Sequence, residues 1–141
     1  MKAGDSIFIA AGGTGGHTYP ALAISEEFQK KGINIYWIGS LGGIEKKLVS
    51  DKNIKFLGMP VVGYRSKSKL KVIYSILLAI VSTCFSLFFI FKIQPKLVIG
   101  MGGYVSGPIG LAAILARTKL VIHEQNAVPG FTNRILYKFA N

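Results

Sequence analysis

Twice in this chain an apolar run of strand length breaks directly into glycines, and each glycine cluster leads into a helical pattern. The first stretch is "SIFIAAGGTGGHTYP", residues 6–20, and the second is "KLVIGMGGYVSGP", residues 96–108. A strand that turns through glycines into a helix presents bare backbone N–H groups at the positive end of that helix. Glycine serves there because it accepts positive φ and lets the backbone come close to a neighbour or a ligand. A chain built from such units is directed toward one architecture, a parallel sheet with crossover helices on both faces.

The rest of the chain keeps the alternation. "SIFIAA" (6–11), "INIYWIG" (33–39), "IKFLGM" (54–59), "KLVIG" (96–100) and "KLVIHE" (119–124) read as strands. They are continuous apolar runs rich in β-branched and aromatic residues, as strands covered on both faces should be. Helices are expected from Pro20 to about Lys31, over 43–50, through a long apolar segment, from Pro108 to Arg117, and over 131–141. Pro20 and Pro108 suit the first turn of a helix, where a missing N–H costs nothing. The expected fold class is α/β, a doubly wound Rossmann-like parallel sheet. "GYRSKSKLK" (63–71) is the one linker-like stretch, and no repeat of fixed period is present.

At 141 residues the chain is about one domain, long enough for a single core. Half of its residues are hydrophobic and 16% are charged, which argues against disorder. Seventeen Lys and Arg against six Asp and Glu leave a net charge of +11 and favour anionic partners. The lone Cys84 cannot form an internal disulfide, which fits a reducing compartment. The first 15 residues lack the order of a signal peptide.

Residues 72–91, "VIYSILLAIVSTCFSLFFIF", carry no charge and are long enough to span a bilayer. A single crossing would separate residues 1–71 from 92–141, and strands from both parts are needed for one sheet. Lysines flank both ends (Lys67, Lys69, Lys71; Lys92, Lys96), so charge gives no orientation. Ser75, Ala79, Ser82 and Ser86 share one helix face that could lie close on a sheet. A helix with that face on the protein and another dipped into an anionic membrane surface is expected. A buried core helix and a true span remain the alternatives.

In the first glycine turn, Gly12, Gly13, Gly15 and Gly16 form an anion site, Thr14 adds a hydroxyl, and His17 stands beside it, able to move a proton near neutral pH. The alternative is a tight turn with a surface histidine. The second turn offers Gly102, Gly103, Tyr104 and Ser106 after its strand, at the same carboxyl edge, and two such turns would suit a diphosphate. A third cluster, "HEQNAVPG" (123–130), sets His123, Glu124, Gln125 and Asn126 at that edge too. Asn126 can both donate to and accept from sugar hydroxyls. His123 and Glu124 either join the site or hold the loop in shape. The dinucleotide fingerprint G-x-G-x-x-G fails, because its last position falls on Thr18, and the pattern G-x-x-x-x-G-K-[ST] is absent. No cofactor and no metal are expected. Nucleic acid is not expected either, since the basic residues flank an apolar helix without interleaved aromatics.

The three segments "GGTGGH", "GMGGYVSGP" and "HEQNAVPG", in this order, resemble the MurG family. The resemblance runs from about Ile7 to the chain end. It implies the N-terminal half of a GT-B glycosyltransferase fold and a peripheral place on the cytoplasmic face of the bacterial membrane. The implied reaction moves N-acetylglucosamine from UDP-GlcNAc to undecaprenyl-diphospho-MurNAc-pentapeptide (lipid I), with inversion, in peptidoglycan synthesis. Thr14, Gly15, Gly16 and Asn126 would touch the donor sugar across the cleft. Gly13, Gly102 and Gly103 would face the acceptor diphosphate with Tyr104 beside them, and His17 would lie near the reacting centre as the candidate base. The family's donor pocket belongs mostly to a C-terminal domain beyond residues 1–141, so this chain is expected to be an acceptor-side half, inactive alone. Two other readings stay open. One is the membrane-holding subunit of a split two-subunit GlcNAc transferase, and the other is a phosphate- or nucleotide-binding module without catalysis.

Overall fold

The computed structural model describes residues 1–50, 52–63 and 68–141. Five strands form one parallel sheet: β1 (Ser6–Ala10), β2 (Asn34–Ser40), β3 (Lys55–Met59), β4 (Leu97–Gly100) and β5 (Leu120–Ile122). Their spatial order is β3-β2-β1-β4-β5. The helices are α1 (Gly15–Lys30), α2 (Glu45–Ser50), α3 (Lys69–Ile93), α4 (Gly103–Leu115) and α5 (Phe131–Leu136), the last closed by a 3-10 turn, Tyr137–Phe139. Every expected strand and helix is present. Residues 64–67 of the linker-like stretch, Lys67 included, lie outside the described residues.

Side chains alternate across the sheet, so each strand feeds two cores. Ile7, Ile9 and Ala11 point to one face and pack with Ala21, Leu22 and Trp37 against α1 and α2. Phe8 and Ala10 point to the other and pack with Val98, Val105 and Ile109 against α3 and α4. The strand order reverses between β1 and β4, whose following helices cover opposite faces. A crevice must open at the carboxyl ends of those two strands.

The two helix starts differ from expectation. α1 begins at Gly15 and α4 at Gly103, so Pro20 and Pro108 each sit five residues inside. Glycines that read as loop are wound into the first helical turn. Proline there removes only an N–H that would have bonded the carbonyl of Gly16 or Tyr104, at the helix mouth where the ladder is weakest.

β1 pairs in register with β4, Ile7 opposite Leu97 through Ala10 opposite Gly100. A single bilayer crossing by α3 would tear these strands apart, so the span reading fails on topology. α3 is not a buried core helix either. Its buried residues are Ser82, Thr83, Ser86 and Ile90, and none falls before residue 82. Ser82 and Ser86 do take the close-packed face foreseen for them, whereas Ser75 and Ala79 are only half-buried. Leu70 (79% exposed), Ile73, Ile76, Ile80, Phe88 and Phe91 (66%) face outward.

Candidate functional site

A cleft of about 700 Å³ lies at the switch point, between the carboxyl ends of β1, β4 and β5. Gly12, Gly13, Thr14 and His17 line it from the first turn, and Gly102, Gly103 and Tyr104 from the second. Glu124 and Asn126 come from the third cluster, so the three segments share one cavity. Gly15 and Gly16 are not in its wall. They form the first turn of α1 beside it, where backbone N–H groups have no partner within the helix. Gly130, the last residue of the third cluster, lines it too, and Gly63, Phe131 and Thr132 join the lining without having been foreseen from sequence. Among the described residues no Lys or Arg lines the cleft, and N–H groups, two helix mouths and His17 are what it offers an anion.

The two glycine turns interlock. Gly13 (φ +88°) lies under the Tyr104 ring, and a Cβ there would come within 2.8 Å of Cε1. Gly102 (φ +94°) and Gly103 (φ +74°) lie against His17, where a Cβ on Gly102 would meet the imidazole at 3.1 Å. Each turn therefore makes room for the other's ring. The second turn is fixed by Ser106, which is fully buried. Its Oγ accepts the Gly102 N–H (3.0 Å) and lies within bonding reach of the carbonyls of Gly102 (2.8 Å) and Ala10 (3.1 Å). The Trp37 indole N–H donates to the Ala11 carbonyl at 2.9 Å and pins the exit of β1.

His17 is held by Gln125, whose Nε2 donates to Nδ1. The same Nε2 reaches the Met101 carbonyl at 3.3 Å, which fixes the amide orientation, because a carbonyl cannot accept from Oε1. Neutral His17 then carries its proton on Nε2. Its remaining nitrogen is a donor, suited to an anion.

Glu124 is the knot of the third loop. Oε1 accepts from the Asn126 backbone N–H (2.9 Å) and side-chain amide (2.8 Å). Oε2 accepts from Gly130 N–H (3.1 Å) and from Asn133 Nδ2 (2.9 Å). Burial pushes the Glu124 carboxyl up, but these hydrogen bonds together outweigh it and hold it below the usual glutamate value. Of the two roles left open for Glu124, loop-holding is the one its contacts serve. Asn126 gives its amide nitrogen to that knot, which leaves Oδ1 for a ligand. Asn133, buried on α5, also donates to the His123 carbonyl at 3.1 Å. Its only sequence cue was a polar residue three positions past Gly130.

Residues 7–141 match the glycosyltransferase family 28 N-terminal domain. Among similar proteins, a UDP-N-acetylglucosamine–N-acetylmuramyl-(pentapeptide) pyrophosphoryl-undecaprenol N-acetylglucosamine transferase of Saccharophagus degradans is 43% identical over 96% of this chain. The transferase of that name from Vesicomyosocius okutanii is 46% identical over 95%. The crystal structure of Acinetobacter baumannii MurG superposes with a TM-score of 0.86 at 36% identity, over 97% of this chain and 40% of that one. The chain spans 36% and 39% of the length of those two curated relatives. With the matched domain running through nearly the whole sequence and the parallel sheet shared with a solved MurG, the chain belongs to the glycosyltransferase family 28 N-terminal domain family.

Proposed function

We propose that this chain is the acceptor-side half of the glycosyltransferase that converts lipid I to lipid II with UDP-GlcNAc as donor. The observation that carries the reading is the convergence of three separate loops on one cleft. Two helix mouths face that cleft from adjacent strands, an arrangement that suits two linked phosphates better than one. The acceptor diphosphate lies against Gly13, Gly102 and Gly103, with the His17 Nε2–H donating to a phosphate oxygen and Tyr104 alongside. Thr14, Gly15, Gly16 and Asn126 meet the donor sugar, and the rest of the donor site belongs to chain outside residues 1–141. For His17 to take the proton of the attacking hydroxyl, Gln125 must first release Nδ1. Its hydrogen-bond-donating role is therefore the one the geometry favours.

The chain works from the cytoplasmic face of a bacterial membrane. The outward apolar residues of α3 enter the headgroup region, and Lys69, Lys71 and Lys92 at its ends meet anionic lipid.

The test is binding by the 141-residue chain on its own. A short-chain lipid I analogue should bind, UDP-GlcNAc should not, and no transfer should be detected. Tight UDP-GlcNAc binding without acceptor binding would overturn the assignment of this half, and would favour a nucleotide-binding module.

A further inference from the structure

Glu45, the first residue of α2, is fully buried and takes no part in the cleft wall. Its Oε1 accepts the Ser40 backbone N–H at 2.7 Å and the Ser40 hydroxyl at 2.9 Å. Its Oε2 is buried with no partner among the described residues. Three glycines from three stretches of backbone are fitted around this one side chain. A Cβ on Gly12 would lie 2.5 Å from Oε1, one on Gly39 2.8 Å from Cγ, and one on Gly43 2.1 Å from Oε2. Gly12 leaves β1 toward the phosphate cleft, Gly39 is near the end of β2, and Gly43 opens the turn into α2. Ser40 and Gly43 also line a smaller cavity of about 370 Å³, which shares Gly13, Gly63 and Tyr104 with the main cleft.

A carboxylate buried with one oxygen unpaired is an expensive way to fill space. What it does here is fix a height. With its other oxygen clamped to Ser40, the carboxylate cannot move, and the Gly12 backbone rests directly on it. Gly12 in turn carries Gly13 and Thr14 into the cleft. We infer that Glu45 is a positioning residue: through Ser40 and Gly12 it sets where the first phosphate-gripping turn stands. The inference rests on the diphosphate reading above, and its structural half can be tested without it.

Three variants decide it. Glu45→Ala removes the support, Glu45→Gln keeps an oxygen to accept from Ser40, and Val49→Ala deletes buried volume from the same helix as a stability control. Farnesyl diphosphate is the probe, measured by titration calorimetry. Displacing a gripping turn should weaken binding by ~10-fold or more in Glu45→Ala, while Glu45→Gln stays within ~3-fold of the parent. Val49→Ala should also stay within ~3-fold at an equal or larger loss of Tm. Equal affinity losses in Glu45→Ala and Val49→Ala would overturn the inference, and so would failure of Glu45→Gln to rescue. Should the parent chain not bind farnesyl diphosphate at all, the diphosphate reading falls, and amide resonances judge Glu45 instead. Glu45→Ala should shift Gly12, Gly13 and Thr14 where Val49→Ala does not, and unmoved resonances would end the idea. If Glu45→Ala does not fold, Gly43→Ala presses on the same carboxylate, and the same two readouts should move in the same direction.

Discussion

The two glycine turns look alike in sequence and behave differently in the fold. The first, Gly12 to Gly16, is exposed at Gly13 and Thr14, and Thr14 caps α1 without a side-chain hydrogen bond. The second, Met101 to Gly103, is buried at Met101 and Gly102 and bolted to β1 through Ser106. One turn is held from beneath, by Glu45 and Trp37, and faces the solvent. The other is locked from within. The glycines also serve different masters: Gly13 clears space for Tyr104, and Gly102 for His17. Similar composition therefore yields a solvent-facing half and a buried half of one grip, each lending its ring to the other.

The sharpest way to break this contrast is to put the same methyl group on each turn. At Gly102, with φ +94° and ψ −175°, the backbone lies where essentially only glycine goes. Strain there, added to contacts at 3.1 Å with His17 and 3.2 Å with Asn133, should cost Gly102→Ala ~2–4 kcal/mol. Gly13→Ala meets only the edge of a half-buried tyrosine that can swing away, and should cost ~1–2 kcal/mol. Much of that contact cost should vanish in the Tyr104→Ala background. Chemical denaturation of the parent, the three single variants and the Gly13→Ala/Tyr104→Ala double variant measures it, and equal costs at the two glycines would erase the distinction.

Next in size is the bolt. Ser106→Ala strands the Gly102 N–H in the interior, while the Ala10 carbonyl keeps the Met101 N–H, and should cost ~1–3 kcal/mol. The loss should appear as faster amide exchange at Gly102 and Gly103, with Gly13 little changed. Uniform acceleration across both turns would mean that they move as one body.

A smaller effect sharpens the account of His17. Gln125→Glu replaces the donor to Nδ1 with an acceptor, so the neutral ring should move its proton from Nε2 to Nδ1. Ring nitrogen shifts recorded at ~pH 8–9, above the histidine range, read the tautomer directly. A parent chain already protonated on Nδ1 would restore His17 as a ready base and remove its donor role.

The architecture was legible because each strand is a continuous apolar run and each crossover is punctuated by glycine or proline. "SIFIA" and "LVIG" could hardly be read otherwise. The helix starts were not, because Gly15, Gly16 and Gly103 are poor helix formers that read locally as loop. The gathering of Thr14, Tyr104 and Asn126 on one rim followed from strand polarity alone. The supports beneath that rim did not. Ser106 reaches Ala10 across 96 residues of chain, and Glu45 reads in sequence as one more charge in "GIEKKLVS". Nothing local marks the reach of Ser106 to Ala10 or of Glu45 to Gly12, each into another βα unit.

The least effect, and the one most specific to the third loop, concerns acid. Glu124 has its pKa lowered in the folded chain by the four hydrogen bonds it accepts, against the push of burial. A carboxyl lowered on folding contributes stability that is fully present above its unfolded value, ~4.3, and is lost as pH falls through the lower folded value. Glu124→Gln cannot titrate, and it turns one accepting oxygen into a donor facing Gly130 or Asn126. The parent should therefore be more stable than Glu124→Gln near neutrality, and the gap should close as pH drops below the ordinary glutamate range. Loosening in acid should therefore begin at Asn126 and Gly130, the backbone that Glu124 holds. A stability gap that stays constant down to ~pH 3 would mean that the carboxylate form of Glu124 is not what ties this loop to the rim.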